Sequence, residues 1–424
     1  MKGTEPKAQR PSLRLAVVAV IGLMIGVGLA HSGERSPSVR DQVLQLNNLT
    51  GQDAFLGVLR KLADDPKLAK QMIAEGRKLV GEKDSPLNYT AATVLARLAQ
   101  LFKDDESARA FYRFGADQAI ALGSTNKIIE AFDGMISSAT AAKKYDEVIK
   151  ICQELLELKG DEQLDKIKPL VLTRLIRAQA RSGKTDAALK LTDSLLEKFD
   201  GTFFQIELTD LKANVYREAG QYNKAIEVYL DLLDLLQESP GIPEKERVSM
   251  TQRARYFLAG VYSEAGEPRK AIAQLRTLVK EKPDSSTFNN DLGYIMADND
   301  IDLDEAEKYI RRAIELDRKQ RAEQKLPASL DKDNAAYLDS LGWVLYKRKQ
   351  YAEAKKILLQ AIELEDGQHI EIYDHLAETH LALGEKKEAL AVWRKALELE
   401  DISRRDQQRR AEIRNKIKRL EEKD

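Results

Sequence analysis

One pattern limits what this chain can fold into: a helical hairpin written repeatedly at a period near 34 residues. The two clearest copies read LAGVYSEAGEPRKAIAQL and LGWVLYKRKQYAEAKKIL. Each places a small residue after Leu, then a Gly or polar turn, then an Ala in the following helix. Counting from Ala259, Tyr262 lies three on, Ala271 twelve on and Pro283 twenty-four on, and 34 residues separate Ala259 from the next small residue, Gly293. A hairpin of this size cannot bury its apolar face alone. Copies therefore stack on one another and make an extended surface rather than an enclosed reaction centre.

Followed along the chain, a notch residue recurs with a small partner about twelve later. The pairs are Ala96 with Ala108, Ile136 with Val148, Ile176 with Ala188, Ala213 with Ala225, and Ala259 with Ala271. They continue with Gly293 and Ala306, Gly342 and Ala354, and Ala377 and Ala389. Small side chains belong there because the two helices of a hairpin approach closely. Gly183, Gly220, Gly266 and Gly384 follow their notches by seven residues, where a first helix ends and a left-handed backbone is often required. No alternating strand pattern occurs, so the expected class is all-α: an α-solenoid of stacked helix pairs behind an N-terminal signal or anchor helix. The expected organisation is residues 1–30 as that signal or anchor, 31–42 as linker, 43–89 as a helical pair lacking the signature, 90–400 as solenoid and 401–424 as a C-terminal capping helix. Two spacings exceed the period, placing extra sequence at 237–249 and 317–331. In the capping helix Ile413, Ile417 and Leu420 recur at helical spacing, an apolar stripe for the last repeat with the charges left in water.

The N-terminus bears on location. Lys2, Lys7, Arg10 and Arg14 precede an uncharged run at 15–30. As a helix that run reaches roughly 24 Å, short of the roughly 30 Å hydrocarbon core. Gly28-Leu29-Ala30 is an acceptable cleavage site. A cleaved secretory signal and a short anchor inserted through residues 15–30 both fit. Either one exports the rest of the chain, to the periplasm or extracellular side, as a soluble protein or held at the inner membrane.

Net charge is −1, which gives no electrostatic reason to expect nucleic acid. The single Cys152 cannot form an internal disulfide, and its apolar neighbours Ile149, Ile151, Leu155 and Leu156 indicate a small buried thiol. No phosphate-binding glycine loop, dinucleotide fingerprint or nucleophile elbow is present. His369, His375 and His380 crowd one short stretch, but spacings of six and five scatter them over different faces. Glu371, His375 and Glu378 share a face, which reads as solvated and polar; a weak metal site or an inter-repeat enzyme site there is the lesser reading. His380 takes a place where other copies carry Tyr216 and Tyr262 and reads as a packing residue. No cofactor, resident metal or catalytic residue is expected.

The hairpin pattern, clearest in LGWVLYKRKQYAEAKKILLQAIEL, resembles the tetratricopeptide repeat family over roughly residues 90–400, most strongly from Ala213 to Leu399. Residues 289–399 resemble bacterial cell-envelope members in particular. The resemblance implies a right-handed α-solenoid, a superhelix of antiparallel helix pairs whose first helices line a concave groove; it names no ligand, and protein or peptide partners held along that groove are the expectation. In the family, the lining positions are those one and four after the notch and three before it. Mapped onto this chain, they give Arg177, Asn214, Arg217, Tyr256, Asn290, Tyr294, Asp339, Trp343 and Tyr346 as a partner-binding set, with Asp374 and Glu378 further on. The carboxylate clamp of chaperone adaptors is missing, since Asp210 stands where it needs Lys and Phe257 where it needs Asn. The function expected is a non-catalytic exported scaffold; the alternative is a single-pass structural module of an inner-membrane complex. Partner identity and homo-oligomer formation are left open.

Overall fold

The computed structural model describes residues 37–159, 162–239, 241–324, 331–399 and 404–422. Among them every regular element is helical. The chain divides into two units, Met1–Ser138 and Ala139–Asp424.

In the first unit α1 (Val39–Gln45) opens at a capping box in which Ser38 and Asp41 satisfy each other's backbone N–H groups. It starts inside the stretch expected as linker, because this cap nucleates the helix as early as Val39. After it come α2 (Gln52–Ala63), α3 (Pro66–Val80), α4 (Tyr89–Leu101), α5 (Asp105–Ala121) and α6 (Thr125–Ala141). Ala96 on α4 and Ala108 on α5 are fully buried where those helices meet.

The second unit continues through α7 (Tyr145–Glu157), α8 (Glu162–Arg181), α9 (Thr185–Lys198), α10 (Phe203–Glu218) and α11 (Tyr222–Gln237). It goes on with α12 (Glu244–Glu264), α13 (Pro268–Glu281), α14 (Ser286–Asp298), α15 (Leu303–Gln324) and α16 (Ala335–Lys347). It ends with α17 (Tyr351–Ile362), α18 (Ile370–Ala382), α19 (Lys386–Ala396) and α20 (Arg404–Glu421). Each even-numbered helix from α8 to α18 is the first of a hairpin and the next is its second. Ala213, Ala225, Ala259, Ala271, Ala306, Ala354, Ala377 and Ala389 are all buried at the crossings.

At the two glycine notches the steric reason is explicit. A Cβ on Gly293 would sit 2.6 Å from Ile310 and 2.7 Å from the Ala306 carbonyl, and one on Gly342 would sit 2.5 Å from Leu358. The turn seven residues after each notch is left-handed in every copy. Gly183, Gly220, Gly266 and Gly384 adopt it freely, while Lys103, Lys143, Asp300 and Lys349 hold it with side chains present. The two insertions take different forms. Much of the first becomes the opening turns of the 21-residue α12. The second lengthens α15 to Gln324, where Arg321 gathers Asp317, Asp331 and Asp333; residues 325–330 lie outside the described residues. Cys152 is buried, which pushes its thiol up to about 11. The signal-or-anchor reading of residues 15–30 also lies outside the described residues, among which no helix is long and apolar enough to cross a membrane.

Candidate partner-binding face

The first helices α8, α10, α12, α14, α16 and α18 carry the expected set on successive turns. Its members mostly tie neighbouring hairpins together. Arg217 on α10 grips Glu264 on α12 through two bonds, Nε to Oε2 at 2.9 Å and Nη2 to Oε1 at 2.5 Å. The Tyr256 hydroxyl donates to Asp291 Oδ2 at 2.7 Å, linking α12 to α14. Trp343 Nε1 donates back from α16 to Asp298 Oδ1 at 3.1 Å. The Tyr294 hydroxyl donates to Glu371 Oε1 at 2.7 Å, spanning from α14 to α18.

Two members are corrected by burial. Asn290 and Asp339, expected on the surface, are each 5% exposed. Asn290 Nδ2 donates to Asp291 Oδ1 at 3.1 Å, and Asp339 meets His375 Nδ1 at 2.9 Å. Asp339 is thus spent on the next hairpin and Asn290 on its own helix. His375 is corrected in the same way: it is 1% exposed, not on a solvated face. Its ring stacks on Trp343 at 4.0 Å between centroids, and Trp343 stacks on Tyr346 at 4.8 Å. Among the described residues no group of His, Cys, Asp and Glu could hold a metal ion. His380 is buried and pairs through Nδ1 with Glu385 at 2.6 Å.

Arg177 and Asn214 occupy a different setting. With Arg181, Asp210, Arg253 and Phe257 they line a cleft of about 300 Å³ across α8, α10 and α12. Arg177 is exposed, whereas the Asn214 amide donates to the Asp210 carbonyl at 2.8 Å. Burial raises the Asp210 carboxyl above its ordinary value despite the opposing pull of Arg253 and Arg177.

The largest departure from expectation is at α20. Its apolar stripe does cap the last repeat: Ile413 is buried with Tyr373, Ala377 and Trp393, and Ile417 and Leu420 pack beside them. Three of its charges, however, are not simply left in water. Arg405 reaches Glu371 at 3.0 Å and Asp298 at 4.0 Å. Arg409 bridges Glu371 at 2.7 Å and Asp374 at 2.9 Å. Lys416 bridges Asp374 at 2.8 Å and Glu378 at 2.7 Å. Burial by itself would raise the Glu371 carboxyl, but Arg409 and Arg405, helped by His375 and the Tyr294 hydroxyl, outweigh it and hold the group at about 2. Asp374 is lowered in the same way, its burial overcome by Lys416 and Arg409. The signal for this was in the sequence: Arg405, Arg409 and Lys416 share one helical face beside the apolar stripe. What the spacing does not disclose is which carboxylates that face meets.

In comparisons with known proteins, family models described as tetratricopeptide repeat match residues 208–243, 258–321, 334–364 and 370–399. A tetratricopeptide-repeat-containing protein of Pseudomonas aeruginosa is 32% identical over 101 residues, 23% of this chain; the chain spans only 15% of that relative's length. A solved tetratricopeptide repeat protein from Parabacteroides merdae is 16% identical, with 70% of this chain and 98% of that one covered and a TM-score of 0.45. A Thermus thermophilus tetratricopeptide repeat protein is 24% identical, with 49% and 98% covered and a TM-score of 0.35. The hairpin geometry with its buried notches, taken with the repeats matched between residues 208 and 399, makes this chain a tetratricopeptide repeat protein.

Proposed function

We propose that the chain is a non-catalytic, exported scaffold that holds protein partners along the face formed by its first helices. Proteins of this family generally mediate protein–protein interactions. The observation that carries the reading is α20: the α14–α18 end of that face already accommodates a helix, through ion pairs to Glu371, Asp374 and Glu378. Exposed Arg177 and the half-buried pair Trp343 and Tyr346 add anchors of the kind interfaces favour. Export rests on residues 15–30 and their basic flank, with the single-pass inner-membrane module as its variant.

Photo-crosslinking in the native cell tests the scaffold. A crosslinker placed at Arg177 or Tyr346 should capture the same protein, and one at exposed Leu359 on α17 should not. Equal capture from all three positions, or none, overturns the face as the binding surface. Mass spectrometry of the mature N-terminus separates the two forms of export: a start after Ala30 gives a soluble protein, and retention of 15–30 gives an anchor. An alkaline phosphatase fusion at the C-terminus that stays inactive overturns export.

A further inference from the structure

Resting on that reading, we infer that the acidic end of the first-helix face is a receptor for a cationic helix, filled in this structure by the chain's own α20. A partner segment of the same chemistry replaces α20 rather than adding to it. Glu371, Asp374 and Glu378 lie on consecutive turns of α18, with Asp298 on α14 nearby. Asp374 is 1% exposed and accepts from Trp393 Nε1 at 2.8 Å as well as from Arg409 and Lys416. Glu371, Glu378 and Asp298 are half-buried around it, and carboxylates so close together repel one another unless cations sit among them. Three cations of α20 do so, Arg405, Arg409 and Lys416, and together they answer Glu371, Asp374, Glu378 and Asp298. An emptied cluster would leave Asp374 without its cations, so a helix that displaces α20 is favoured when it brings cations at that spacing.

The attachment of α20 is divided between its two halves. Ile413, Ile417 and Leu420 hold its C-terminal half to α18 and α19 as an ordinary cap. Toward its N-terminal end Arg405, still 46% exposed, meets Glu371 on the last repeat and reaches past that repeat to Asp298 and the Tyr294 hydroxyl on α14. A cap alone has no need of that reach. Lys416 also covers Glu378, one after the last notch, the place that Arg177, Asn214, Tyr294 and Trp343 take in other repeats. Two or three arginines and lysines on one face of a helix are the ligand these positions select.

The experiment uses full-length protein and a labelled synthetic peptide of residues 404–422. A full-chain Arg409→Ala, Ile413→Asp variant, which loosens α20 without touching the face, should bind the peptide at least ~10-fold more tightly than the wild-type chain, as relief of an internal competitor requires. Adding Glu371→Gln to that variant should lower binding by ~10-fold, and a peptide with Arg405→Glu, Arg409→Glu and Lys416→Glu should not bind. An unrelated helical peptide carrying only the three cations at the same spacing should compete with the labelled one. Thermal melting of each protein verifies its fold. Equal binding by wild type and the loosened variant, or equal binding of the charge-reversed peptide, overturns the inference. A wild-type dimer that disappears in Arg409→Ala also overturns it, by assigning the face to a second copy's α20. If the peptide fails while Arg177 and Tyr346 still crosslink one partner, the scaffold stands and only this inference falls.

Discussion

At the residue scale, the small notch positions and the turn positions test the packing argument most directly. Gly293 has the Ala306 carbonyl and Ile310 where its Cβ would be, so the second helix of that hairpin has to move if a methyl is added. Gly293→Ala should cost about 1–3 kcal/mol by overpacking, read as a lower midpoint in urea unfolding at unchanged slope. The left-handed turn gives a change of opposite sign. Lys349 holds φ of 63° at the place where Gly266 and Gly384 hold 75° and 80°. Its N–H still closes on the Tyr346 carbonyl and the Gln350 N–H on the Leu345 carbonyl. Lys349→Gly should therefore stabilise the chain by about 1 kcal/mol, and Gly384→Ala should destabilise it by a similar amount. Both classes of position were legible in the sequence, because a steric demand and a backbone demand each leave a residue type behind. His375 was not legible. Its polar side chain lies on α18 but its partners, Asp339 and Trp343, come from α16, and spacing within one helix cannot show what the next hairpin brings.

At the element scale, α20 separates what periodicity reveals from what only assembly does. The apolar stripe at Ile413, Ile417 and Leu420 predicted a cap on the last repeat, and those side chains do pack there. The adjoining face holds Arg405, Arg409 and Lys416, which the sequence alone assigns to water; the fold sets them against carboxylates that come 34 or more residues earlier in the chain. This pairing makes the seating of α20 dependent on acid. Glu371 is held at about 2 against an ordinary 4.5, so its folded value is depressed and its contribution is complete above 4.5. That contribution, on the order of 3 kcal/mol, is lost as pH falls from about 4.5 toward 2. Asp374, also lowered by burial-resisting cations, adds to the loss in the same direction. Hydrogen exchange of α20 measured between pH 5 and 2.5 and corrected for intrinsic rates should thus show its protection falling ahead of that of α16 and α17. In Glu371→Gln that extra acid dependence should be reduced, whereas an unchanged profile would mean the ion pairs do not seat the helix.

For the molecule as a whole, the stacked repeats make stability a local property that varies along the chain. From Ile206 on α10 to Leu376 on α18 the buried side chains of successive hairpins form one continuous core. The buried residues around α8 and α9, from Ile176 to Val215, form a smaller separate cluster. The sequence carried this gradient too: the repeat pattern is strong from Ala213 onward, and matches to the family begin at residue 208. Ile176, a degenerate notch, is fully buried but belongs to the smaller cluster, so the fading motif coincides with a smaller core. The N-terminal half of α8 is weakened further by Pro169, which removes one helical hydrogen bond, and by Leu170, which is left 54% exposed. Native-state hydrogen exchange at neutral pH should accordingly find α8 and α9 opening at lower free energy than α12 through α17, by about 1–3 kcal/mol. Since α8 also carries Arg177 in the cleft with Asp210 and Arg253, a partner bound there would raise protection in α8 and α9 far more than in the rigid helices beyond. Uniform protection along the second unit, with or without partner, would show that the weak repeats are as tightly packed as the strong ones and that the cleft is not used.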